Sequence, residues 1–146
     1  MQQRIIKHDL KGFLIAAIKT GIVVSAFDIL WYFFATKILK VTGQSFMNTT
    51  SITLALMVWA ILASLILYYI FDKVKKPVLV FRGICLAIII ASFYFAFLTT
   101  LPNGEIAPDR YPVLSMPLHL FGGLLTGLFL PKFLKGNLGA MFKQTA

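Results

Sequence analysis

Two side chains of this 146-residue sequence combine acid or base chemistry with strongly apolar surroundings: Asp28 and His119. Asp28 lies in Gly21 to Phe34, GIVVSAFDILWYFF, a stretch apolar enough to sit in lipid. A carboxylate near the centre of a membrane helix costs on the order of 3 kcal/mol on insertion scales, so it should face a bundle interior. There it must meet a partner on another helix, water or a proton. His119 lies in SMPLHLFGGLLTG, Ser115 to Gly127, and imidazole is the side chain that exchanges protons near neutral pH.

Other chemistries find no support in the residues. A transmembrane bis-histidine haem needs two histidines at suitable depth, but only His8 and His119 exist, and they belong at opposite sides of a membrane. No nucleophile-base-acid arrangement, phosphate-cradling glycine loop or metal-ligand spacing is readable. No catalytic residue, metal or cofactor is therefore assigned, and an enzyme is not expected. Cys85 is the single cysteine, which excludes an internal disulfide. Its apolar neighbours make it a small buried hydrophobe.

The elements that position Asp28 and His119 follow from composition. Hydrophobic residues make up 59% of the chain and charged residues only 13%, with a mean hydropathy of +0.86. That balance belongs to an integral membrane protein, here an all-α four-helix bundle in a single domain, residues 1–146. Expected spans run over about 12–36, 52–71, 78–101 and 112–131. Residues 1–12 form a basic amphipathic lead-in whose pattern runs on to Lys19, with Ile6, Leu10, Phe13 and Ala17 on one side and Arg4, Lys7, His8, Lys11 and Lys19 mostly on the other. A short basic leader that only fixes orientation accounts for the same residues. No cleavable signal is expected, because the apolar stretch that follows is too long. Thr42-Gly43-Gln44 and Pro102-Asn103-Gly104 read as turns, and Asn48-Thr49-Thr50 as a chance glycosylation match beside a span. The tail, 132–146, is basic.

Lysine and arginine distribution sets the expected topology. Arg4, Lys7, Lys11, Lys73, Lys75, Lys76, Arg82, Lys132, Lys135 and Lys143 fall on one side, against Lys37, Lys40 and Arg110 on the other. The positive-inside bias puts both termini in the cytoplasm. The net charge of +9 is explained by this clustering beside apolar runs, and nucleic acid is not an expected partner. The lipid bilayer is, together with a homo-oligomer or a larger membrane complex.

Within that topology the first and last spans carry small-residue faces. Ala17, Gly21, Ser25, Asp28 and Tyr32 align at helical spacing, as do His119, Gly123 and Gly127, with Gly122 and Thr126 beside them. Asp28 and His119 both lie roughly 10 to 13 Å below the outer surface at about 1.5 Å per residue. The expectation is that the first and fourth spans pack together and that Asp28 pairs with His119, Tyr94 and Trp59 completing a polar layer. Such a layer serves either as a proton- or ligand-binding site or as a polar pin that fixes helix register.

The pattern Gly21-x3-Ser25-x2-Asp28 in a first span, with His119-x2-Gly122 and Gly127 in a last one, resembles that of small uncharacterised four-span bacterial inner-membrane proteins. The resemblance implies a bacterial inner-membrane location and carries no activity. Two function classes remain. One is an accessory or scaffolding component of the membrane. The other is a minimal proton- or small-solute-linked transporter or channel acting as a homo-oligomer through Asp28 and His119. The direction of the Asp28 face discriminates them: turned outward it needs a partner protein, turned toward the fourth span it is internal.

Overall fold

The computed structural model describes residues 10–41, 47–98, 100–101, 104, 106–107 and 109–144, with side chains described as far as residue 136. The expected lead-in through residue 9, the Thr42-Gly43-Gln44 turn and the side chains of the tail beyond 136 lie outside the described residues. Four α-helices follow one another: α1 (Leu10–Phe33), α2 (Thr49–Phe71), α3 (Pro77–Ala96) and α4 (Tyr111–Gln144). Segments Leu10–Ile38, Thr49–Phe71, Pro77–Ala96 and Tyr111–Gly136 are each long and apolar enough to cross a membrane.

Local chemistry accounts for the helix ends. α1 widens into a π-helical turn over Phe34–Ile38, where Leu39 N–H donates to the Phe34 carbonyl at 3.2 Å, and the chain leaves through Lys40 at φ 55°. Asn48 caps α2: its Oδ1 accepts from Ser51 N–H at 2.9 Å while the Ser51 hydroxyl accepts from Asn48 N–H at 3.0 Å. This capping box gives Asn48 a structural role. Asn48→Ala is expected to cost about 1 kcal/mol, read as a lower melting temperature in detergent. Pro77 opens α3 at a position where its missing N–H costs nothing.

α3 stops at Ala96, short of the expected Leu101. The residue before a proline disfavours the α region, and Leu101 precedes Pro102. Instead Thr100 and Ile106 form an antiparallel bridge, and Leu101 O accepts from Gly104 N–H at 2.8 Å, with Gly104 at φ +84°. α4 departs from expectation in the other direction, because it continues through Pro131. A proline cannot donate to the carbonyl four residues earlier, which leaves Gly127 O without its helical partner. Arg82 on α3 supplies the replacement, its Nε donating to Gly127 O at 3.3 Å.

Consecutive helices run in opposite directions, as two apolar clusters demonstrate. At one end Phe13, Leu67, Phe81, Leu130 and Leu134 are buried together with the alanines Ala16, Ala17 and Ala63. At the other, Ala35, Val41 and Leu114 are buried under Trp31, Tyr32, Leu39 and Met47. Small residues at the first end let the helices approach, and large ones fill the space they leave. α1 packs on α2 and α4, and α3 packs on α4. α2 meets α3 along a slimmer seam, and α1 does not reach α3 among the described residues. Between the two clusters lies the part of α1 that carries Gly21, Ser25 and Asp28.

Candidate functional site

Every member of the α1 small-residue face is buried from Ala17 through Gly21, Ser25 and Asp28, so the face is internal. Asp28 is 1% exposed. One carboxylate oxygen, Oδ2, lies 3.7 Å from where a Cβ on Gly122 would sit. The absence of a side chain at Gly122 is what makes room for the carboxylate against α4. The other oxygen, Oδ1, has no hydrogen-bond partner, and the hydroxyl of Ser25 is likewise buried without one.

The reason lies in what the neighbouring donors do. Thr126 Oγ1 donates to Gly122 O at 2.6 Å and Thr20 Oγ1 to Ala16 O at 2.7 Å, both within their own helices. α2 carries no Lys, Arg, His, Asp or Glu, and α4 carries only His119 between Tyr111 and Pro131. Apart from that histidine, no charged or basic side chain on the two helices packed against Asp28 lies within the apolar span.

His119 does not meet it. Among the described residues no hydrogen bond or ion pair joins Asp28 to His119, and the expected pairing is corrected on this point. Gly122 and His119 are three residues apart and share one broad face of α4, but only Gly122 lies against the carboxylate. Gly122 faces Asp28 and Leu56, whereas the His119, Gly123 and Gly127 stripe turns toward α3. A Cβ on Gly123 would overlap Cγ1 and Cδ1 of Ile89, and one on Gly127 would lie 3.6 Å from Cβ of Cys85. Gly21 likewise serves α2, its nearest neighbours being Met57 and Ala60.

His119 instead lines a cavity of about 230 Å³ at the slim seam between α2 and α3, floored by α4. Trp59 and Ser92 line it too, with Leu56, Ile89 and Gly122. Ser92 Oγ donates to Ile89 O at 2.8 Å, leaving its lone pairs available to a donor. Gly122 is the wall shared by the cavity and the Asp28 carboxylate. Trp59 and His119 are therefore brought together, Asp28 stands behind the cavity, and Tyr94 is elsewhere: 71% exposed, edge-on to Phe95. Its depth was counted as seven residues from a span end at Leu101, whereas α3 ends at Ala96, two residues past Tyr94.

Two side chains to which sequence reasoning gave no role tie the helices together on either side of the site. Trp31 Nε1 donates to Leu114 O at 3.1 Å, and Ser64 Oγ to Phe13 O at 2.8 Å, tying α1 to α4 at one end and to α2 at the other. Leu114 lies three residues before Pro117, in the turn that an internal proline loosens, as Gly127 lies four before Pro131. Prolines in a membrane helix call for donors from neighbouring helices, and that signal was present in the sequence. Among the described residues no cluster of three or more metal-ligating side chains occurs. No family model, curated protein or solved structure matches the chain.

Proposed function

We propose that the chain is a small multi-pass protein of the bacterial inner membrane, with both ends in the cytoplasm, that binds a proton or small solute at the level of Asp28. The observation that carries this reading is the carboxylate oxygen Oδ1, buried and unpartnered behind a cavity that His119, Trp59 and Ser92 line. A register pin would be a satisfied group, since a buried polar atom left unpaired costs about 1–3 kcal/mol and a charged one more. Ionisable groups within membrane spans are rare, face the bundle interior and mark ion and substrate pathways. The inward direction of the Asp28 face supports the same choice, because an outward face would have called for a partner. The location rests on the four apolar helices, the basic residues gathered at one end and the resemblance to four-span bacterial proteins.

The test is proton flux in proteoliposomes under an imposed pH gradient. Wild-type protein is expected to dissipate the gradient faster than protein-free vesicles, and Asp28→Asn to fall to the vesicle background. Equal rates for wild type, Asp28→Asn and empty vesicles would overturn the transport reading.

One observation favours the second reading, an accessory or scaffolding component. Asp28 is sealed within a single chain, so a solute path requires a second conformation or a second copy. Native mass measured after gentle extraction separates the two: other chains in fixed ratio support the accessory role, and a single species, alone or as a homo-oligomer, supports the binding role.

A further inference from the structure

We infer that the α3–α4 face holds an anionic phospholipid, its headgroup phosphate on Arg82 and one acyl chain in the groove that runs from Gly127 to Gly123. This inference rests on the membrane reading above but on a different face of the bundle from Asp28. The groove has a volume of about 240 Å³, and Arg82 is the only charged side chain that lines it. Its walls are Cys85, Leu86, Leu124 and Leu128, and Gly127 forms part of its floor, where an added Cβ would meet Cys85 and Arg82 only at ordinary contact distance, 3.6 Å and beyond. At the far end Ile89 packs onto Gly123 and closes it. Arg82 and Ile89 are seven residues apart, so the groove is about 10 Å long, enough for part of an acyl chain.

Arg82 is held for this purpose. Its Nε is committed to Gly127 O, the carbonyl that Pro131 leaves free, so the guanidinium is anchored to α4 while its terminal nitrogens have no protein partner among the described residues. A planar guanidinium with free N–H groups is the geometry that takes a phosphate through two parallel hydrogen bonds. Arg82 stands five residues into α3, about 7 to 8 Å from its start, within reach of the headgroup layer for a long side chain. The surrounding charge favours an anion: Lys73, Lys75, Lys76, Lys132 and Lys135 belong to the same end, and Asp72 is the only acid there among the described residues. Leu86, Leu124 and Leu128 are exposed on the groove's rim, so it opens sideways toward hydrocarbon. A soluble phosphate or an acidic peptide would bring nothing to fill it. Basic pockets between membrane helices on the cytoplasmic side recognise lipid phosphates in this manner.

The experiment is native mass spectrometry of the full chain, extracted in neutral detergent and exposed to phosphatidylglycerol or phosphatidylcholine. Wild type is expected to retain phosphatidylglycerol about tenfold more than phosphatidylcholine: both carry the phosphate, but the choline ammonium offsets its charge and stands against the Arg82 guanidinium. Arg82→Gln should abolish that selectivity. Leu86→Trp, which narrows the groove while leaving Arg82 and its Gly127 contact in place, should lower retention of both lipids. Equal retention of the two lipids by wild type, or unchanged selectivity in Arg82→Gln, would overturn the inference. The chain's recovery in carbonate-washed membranes is scored first; its appearance in the soluble fraction would overturn the membrane reading instead.

Discussion

Asp28→Asn is expected to raise the thermal stability of the detergent-solubilised protein while removing its proton flux. Asparagine keeps the shape that fits against Gly122 and removes the charge. Since Oδ1 accepts no hydrogen bond, the substitution forfeits none there. The asparagine amide is itself left unpaired, so the gain is only what a buried carboxylate costs beyond a buried amide, on the order of 1 kcal/mol while the carboxyl is ionised. Removing one partner of a satisfied buried ion pair would do the opposite, costing about 3–5 kcal/mol, so the sign of the change separates a site from a pin. His119→Gln sharpens the comparison. With no contact between the two side chains, the double variant should equal the sum of the singles within about 0.5 kcal/mol, whereas direct coupling would show a larger discrepancy. A destabilising Asp28→Asn with strong coupling to His119 would restore the pin.

The second large effect is expected at Gly123. A methyl group there would overlap Ile89, itself buried, so Gly123→Ala should lose about 1–3 kcal/mol by overpacking. Gly127→Ala meets only ordinary contacts at 3.6 Å and beyond, and the better helix propensity of alanine should make it neutral or stabilising by about 0.5–1 kcal/mol. Gly21→Ala falls between, because the obstructing atom is Met57 Sδ, part of a flexible side chain that can move aside. Chemical or thermal denaturation of the three variants, measured in one detergent, checks the order. Equal losses at Gly123 and Gly127 would show that α3 and α4 do not meet along this stripe.

The helical architecture was legible in the sequence because apolar runs of membrane length leave little else for the backbone to do. Helix ends were less so, since they depend on single contacts. The start of α2 needed the reciprocal Asn48 and Ser51 bonds, and the passage of α4 through Pro131 needed Arg82 from another helix. For the candidate site, depth could be counted along each span, and His119 and Trp59, counted to similar depth, line one cavity. Facing could not be counted in the same way. His119 and Gly122, three apart on α4, line one cavity, yet only Gly122 also backs onto the Asp28 carboxylate, and Tyr94 is exposed. The buried face of α1 was readable because its small residues repeat at helical spacing around a carboxylate that lipid would not accept.

Whether Asp28 exchanges a proton inside the bundle is tested most directly by infrared difference spectroscopy of the lipid-reconstituted protein as pH is stepped. A carboxyl C=O band that changes with pH in wild type and is absent from Asp28→Asn is the expected result. Identical difference spectra for the two proteins would contradict it, and would leave Asp28 as a packing residue of a membrane scaffold.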